Sequence, residues 1–82
     1  MTTEEIKQII IEQILNIAPE INKDDIDPKA HIQRSLEIDS FDFLRILTAL
    51  NKEIGIAVPE ADYGKVDTLE HMTDYFAQRL QQ

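Results

Sequence analysis

An all-α bundle is the fold this sequence predicts, on three observations. Three segments repeat their apolar residues at helical spacing. The β-branched residues do not fall in alternating runs, so no strand is indicated. Glycine, a common residue in the turns of β folds, occurs only twice. The 82 residues suit one small domain, 1–82, that buries roughly 60–65% of its unfolded surface. With 43% hydrophobic residues, the chain has enough apolar surface to fold.

The first helix is expected at 3–17. Thr2 or Thr3 can cap it, and Glu4 and Glu5 suit its positive end. Ile6, Ile10, Ile14 and Ile17 form one face at spacings of four, four and three. Ile9 and Leu15 widen that stripe, whereas Ile11 lies off its centre. Pro19 disfavours helical geometry at Ala18 and closes the segment.

Residues 18–38 carry no sustained period and read as a long loop. A loop of that length in so small a domain needs anchors, and some of Ile26, Ile32, Leu36 and Ile38 are expected in the core. The second long helix is expected at 40–54, with Leu44, Leu47, Leu50 and Ile54 on its buried face. Phe43 and Ile46 broaden that face, and Gly55 supplies the stop. Pro59 and Gly64 bracket a short third helix at 59–64, with Val58 and Val66 as flanking anchors. Thr68 caps a last helix at 68–81, where Leu69, Met72, Tyr75 or Phe76, and Leu80 mark the buried face. The result is a four-helix bundle: three amphipathic helices, one short third helix, and a long loop between helices one and two.

Charge and composition exclude several functions. Sixteen acidic and eight basic residues give a formal net charge of -8. No basic patch indicates nucleic-acid binding, and an anionic membrane surface would repel the chain. No apolar run approaches membrane-spanning length, and the N-terminus lacks the basic and apolar regions of a signal peptide, so a monomer in the cytoplasm is expected. There is no cysteine, which excludes disulfides, thiolate zinc sites and a cysteine nucleophile.

Four features are candidates for chemistry. Asp39-Ser40 stands directly before the second long helix. Both residue types are favoured N-caps, so the pair can serve only to start the helix. The functional reading is that Ser40 is a hydroxyl for modification. A phosphate attached there would meet free N–H groups and the positive helix end, but Asp39 would repel it unless a metal ion or a basic partner intervened. His31 and His71 have no metal-ligand partner at a suitable spacing and read as surface residues. The stretch Asn22–Asp27 resembles the start of a calcium loop, but Asp27 stands where Gly is required and Gln33 where Glu is required, leaving an acidic solvated turn. Phe41 and Phe43 can line a ligand cavity or simply belong to the core.

The stretch from Leu36 to Glu60, reading LEIDSFDFLRILTALNKEIGIAVPE, resembles the central segment of acyl carrier proteins. The family pattern of Leu, Gly, a variable residue, Asp, Ser and Leu is matched by Leu36, Glu37, Ile38, Asp39, Ser40 and Phe41. Asp42, the apolar run from Leu44 to Ile54, Val58-Pro59, Val66 and Thr68 extend the resemblance over most of 32–80. It implies that Ser40 receives 4'-phosphopantetheine from coenzyme A through a phosphopantetheinyl transferase, which Asp39 helps to engage. The arm's thiol would carry an acyl group as a thioester, and the absence of cysteine leaves no rival thiol. The chain would then be a discrete carrier, not an enzyme. It would be loaded by an acyl or aminoacyl ligase and visited by acyl-transferring or condensing enzymes.

Two departures stand out. Glu37 replaces the usual Gly and Phe41 the usual Leu. In 39–54, three carboxylates (Asp39, Asp42, Glu53) are offset by Arg45 and Lys52, a net of about -1 where familiar fatty-acid carriers are strongly acidic. Phe41, Asp42, Arg45 and Lys52 are therefore the expected partner-binding residues, in a dedicated lipid or secondary-metabolite pathway. Phe41, Phe43, Leu47 and Tyr63 are candidates to border an acyl cavity. An aminoacyl or peptidyl carrier shares these features, and an unmodified acidic interaction module shares the bundle. A serine hydrolase would need a histidine beside Ser40.

Overall fold

The computed structural model describes residues 1–81. Its α-helices are α1 (Thr3–Ile17), α2 (Ile32–Ser35), α3 (Ser40–Ile54) and α4 (Leu69–Leu80), with 3₁₀ segments at Lys23–Asp25 and Glu60–Lys65. The three long helices have the expected bounds to within a residue. The short third helix is the 3₁₀ segment, with Pro59 as its N-cap.

Local chemistry sets the ends. Thr2 accepts the Glu5 N–H while the Glu5 carboxylate accepts the Thr2 N–H, both at 3.1 Å, a closed capping box. Thr68 caps α4 by accepting the His71 N–H at 3.0 Å. Gly55 ends α3 at φ 84°, left-handed geometry that costs a residue without a Cβ little.

Packing closes one core. α1 lies against both α3 and α4. This two-sided burial explains why Ile11 joins Ile6, Ile10 and Ile14 inside, although its position is off the stripe's centre. From α3 come Phe43, Ile46, Leu47 and Leu50, and from α4 come Leu69, Met72, Tyr75 and Phe76. Two expected core residues lie outside. Leu44 is 39% exposed because the buried stripe runs through Phe43 and Ile46, one helical step to the side. Leu80 is also 39% exposed: Phe76 is the last fully buried residue of α4, and Ala77 after it is half-buried.

The loop 18–38 is more structured than its sequence suggests. Asn22 caps the first 3₁₀ turn by accepting the Asp24 N–H. Ile32 and Ile38 are buried and Ile26 and Leu36 pack against the core, so the expected anchors are in place. Backbone bonds then fasten the loop to the start of α4. The Ile32 N–H donates to the Asp67 carbonyl at 2.8 Å, the Glu70 N–H to the Pro28 carbonyl at 3.0 Å, and His31 and Thr68 form an antiparallel bridge.

α2 ends in a Schellman turn. The Ile38 N–H donates to the Gln33 carbonyl at 3.0 Å, and Glu37 occupies the left-handed position at φ 55°. Left-handed geometry costs a residue with a Cβ about 1–2 kcal/mol. Glycine would remove that strain but loses about 0.4–1 kcal/mol to its freer unfolded chain. Glu37→Gly is therefore expected to stabilise the domain by about 0.5–1 kcal/mol, read as a raised denaturation midpoint. A lowered midpoint would mean that the glutamate side chain outweighs the strain.

Candidate functional site

Asp39 and Ser40 divide the work at the start of α3. Asp39 is the N-cap, its Oδ1 accepting the Asp42 N–H at 2.8 Å. Ser40 is the first helical residue and is exposed. The cap reading thus holds for Asp39 and leaves the Ser40 hydroxyl over, with no side-chain hydrogen bond among the described residues. The first α-helical bond of α3 runs from the Phe43 N–H to the Asp39 carbonyl, so the N–H groups of Ser40 and Phe41 have no intrahelical acceptor. An oxyanion on Ser40 Oγ would sit beside donors and the positive helix end.

The sequence has one other serine, Ser35. Its hydroxyl donates to the His31 carbonyl at 2.7 Å in the short helix α2. Of the two hydroxyls, Ser40 alone is both exposed and free of such a bond.

Beside Ser40 opens a cleft of about 580 Å³. Phe43, Leu44 and Tyr63 form its apolar wall, and His31, Arg34 and Asp67 its polar rim. Phe43 and Tyr63 meet edge to face, ring centroids 6.5 Å apart. Two of the expected cavity residues, Phe43 and Tyr63, therefore line this space. Leu47 borders a smaller neighbouring hollow with Tyr63 and Val58. Phe41 does not contribute: it is 80% exposed on the outer face of α3, because the first turn directs Phe43 rather than Phe41 at the core. A free hydroxyl at a helix start, next to a half-apolar cleft, fits a phosphodiester-linked arm that is polar at its root and apolar in its cargo.

His31, Arg34 and Asp67 are cleft residues that no sequence motif marks. His31 is half-buried and accepts the Arg34 N–H through Nδ1 at 3.3 Å. It shares the cleft with Ser40 but makes no hydrogen bond to it, so no nucleophile–base pair exists there. Among the described residues no cluster could hold a metal ion.

His71 Nδ1 stands 2.7 Å from Asp67 Oδ1, a pairing visible in sequence as an i, i+4 spacing. The hydrogen bond with Asp67 raises the His71 pKa above 6.5, and the bond from His71 lowers that of Asp67 below 3.8. Through His71, the pair's stabilisation is complete below pH 6.5 and lost as pH rises through the raised value. Through Asp67, it is complete above pH 3.8 and lost as pH falls through the lowered value. The thermal midpoint of the wild type is expected to exceed that of His71→Gln between those limits, with the gap closing on the alkaline side. A gap independent of pH would exclude the pair as its source.

Of the expected partner-binding residues, Phe41, Arg45 and Lys52 line one groove on the outer face of α3. Exposed Arg45 pairs at 3.1 Å with half-buried Asp42, and Lys52 lies two turns further on. At the far side, Asp62 accepts the Tyr75 hydroxyl at 2.8 Å and pairs with Lys65 and Arg79, tying the 3₁₀ segment Glu60–Lys65 to α4. The Tyr75 hydrogen bond holds the Asp62 carboxyl below its ordinary pKa. That tie steadies Tyr63 and Gly64 at the cleft wall.

Comparison with known proteins gives a consistent picture. The family described as phosphopantetheine attachment site matches residues 4–76. Acyl carrier protein AcpXL of Rhizobium meliloti (strain 1021) is 39% identical over 67 residues, 74% of this chain and 70% of that protein. Acyl carrier protein 2, mitochondrial, of Arabidopsis thaliana is 27% identical over 78 residues, 92% of this chain and 62% of that protein. The chain thus spans less than two thirds of the second relative's length.

Proposed function

The chain belongs to the acyl carrier protein family, and on that premise we propose that Ser40 is its attachment serine. Members of the family are carriers, not enzymes, and bear 4'-phosphopantetheine on a serine; a phosphopantetheinyl transferase and acyl-handling enzymes act on them. When bound, the group supplies a thiol that holds an acyl chain as a thioester. The observation that carries the assignment is the division of labour at α3: Asp39 caps, and Ser40 is left exposed and free. In the transfer, Ser40 Oγ forms the new bond to phosphorus and loses its proton. The pyrophosphate bridge of coenzyme A breaks, and the nucleotide half departs. The free N–H groups of Ser40 and Phe41 offer donors to the phosphate oxygens.

In the same reading, the carrier is loaded by an acyl ligase, serves acyl-transferring or condensing enzymes in the cytoplasm, and belongs to a dedicated pathway. The near balance of charge on α3 supports the last point, since partner choice follows electrostatic complementarity. No described helix is long and apolar enough to cross a membrane. Intact mass before and after incubation with coenzyme A, magnesium and a promiscuous transferase tests the function. One added phosphopantetheine is expected, and no gain by folded protein would overturn the assignment.

Asp39 has two roles that can be separated. Asn caps as well as Asp, so Asp39→Asn keeps the cap and removes only the charge. It should slow transferase kcat/KM about tenfold or more while leaving stability within about 1 kcal/mol. Asp39→Ala loses the cap as well, costing about 0.5–2 kcal/mol. An Asn variant modified at the wild-type rate would reduce Asp39 to a cap.

A further inference from the structure

We infer that the outer face of α3 is a docking groove for an amphipathic helix of a partner protein whose apolar stripe is flanked by carboxylates. The groove has a volume of about 500 Å³, lies between α3 and the end of α1, and meets the Ser40 cleft at Leu44, which lines both. Ile17, Phe41, Leu44 and Ala49 make its floor. Phe41 is 80% and Leu44 39% exposed, so the floor is uncovered by the chain itself. Arg45 and Lys52 are its charged residues, and no carboxylate lines it.

Residues 41, 45, 48 and 52 follow steps of four, three and four along one face of α3, with Leu44 beside them. They span about 16 Å, three helical turns, which matches a three-turn helix laid alongside. Charge decides between occupants. In a chain of net charge -8, the two charged residues that line this groove are both cations. Arg45 is partly neutralised by Asp42, but Lys52 has no carboxylate within ion-pair distance among the described residues. A basic partner helix would meet both cations over the apolar floor. A second copy pairing through this face across a two-fold axis would bring like cations together. An acidic amphipathic helix covers Phe41 and Leu44 and pairs with both cations. The inference deepens the carrier reading by giving the chemistry of the visiting surface. It also reverses, at this groove, the overall pull of an acidic chain toward basic partners.

The test titrates ¹⁵N-labelled protein with two synthetic helical peptides sharing one leucine stripe, one flanked by Glu and the other by Lys, up to about millimolar. The Glu peptide is expected to shift the amides of Ile17, Phe41, Leu44 and Ala49 saturably and to bind about tenfold or more tighter than the Lys peptide, weakening with salt. The double substitution Arg45→Glu with Lys52→Glu, both at exposed sites, should reverse that preference. The inference is overturned by a preference for the Lys peptide, or by no saturable shift at these residues with either peptide. Shifts that depend on protein concentration alone would assign the face to a second copy and equally overturn it. The titration is repeated on Ser40→Ala protein. A groove that binds there but a wild type that gains no phosphopantetheine would separate failure of the carrier reading from failure of this one.

Discussion

Ser40→Ala is expected to abolish the mass gain from phosphopantetheine completely, while shifting stability by no more than about 0.5 kcal/mol. The two halves of this expectation have different origins. The mass gain needs an exposed, uncommitted hydroxyl, and Ser40 supplies it. The small stability effect follows because Asp39, not Ser40, accepts the Asp42 N–H at the helix start. Were Ser40 the cap, alanine would cost about 0.5–2 kcal/mol. Intact mass and a denaturant midpoint on the same variant measure both. Continued modification of Ser40→Ala would move the site to Ser35, whose hydroxyl is held by the His31 carbonyl. A large loss of stability would show that the helix start is built differently.

Phe76→Ala should be the most damaging single truncation in the core. Phe76 is fully buried in α4 and meets Tyr75 edge to face, ring centroids 5.7 Å apart. Removing a buried phenylalanine side chain costs about 3–5 kcal/mol, a large share of the roughly 4–12 kcal/mol available to a domain of this size. Differential scanning calorimetry should show a midpoint lowered by roughly 12–40 °C. Leu80→Ala, one turn further along the same helix, is the matched control. With Leu80 39% exposed, it should cost less than about 1 kcal/mol. Equal losses at the two positions would mean that α4 packs along its full length.

That contrast also shows what was readable in advance. Helix ends depend on contacts within three or four residues, so Thr2, Asp39, Gly55 and Thr68 mark them in the sequence itself. Burial depends on what lies opposite, which periodicity does not report. Leu44 and Leu80 satisfy the helical spacing, yet one sits a step off the contact line and the other beyond its end. α2 was hidden for a different reason. Four residues show no period, and its cap is His31, not one of the usual short polar residues. The left-handed turn at Glu37 was hidden because glutamate does not advertise it, although the family's glycine at that place is the residue such a turn favours.

The candidate site divides in the same way. Asp39-Ser40 before an apolar helix was legible, as were Phe43 and Tyr63 as cavity candidates. The polar rim was not, because His31, Arg34 and Asp67 come from two separate stretches of chain that only the tertiary fold brings together. Phe41, a candidate for the cavity, instead lies exposed outside it. Residues two apart on a helix point about 200° apart, so Phe41 and Phe43 cannot share one wall.

The backbone bonds that join Ile32 to Asp67 and Glu70 to Pro28 have a consequence for the order of assembly. During synthesis, α3 and its serine emerge before the residues to which the preceding loop is fastened. Such non-local contacts form late, since a long loop must close before they can contribute. The framework around Ser40 is therefore among the last parts of the domain to be completed. A nascent chain holds the serine before it holds the completed surface around it, so on the proposed assignment of Ser40 modification would report finished folding.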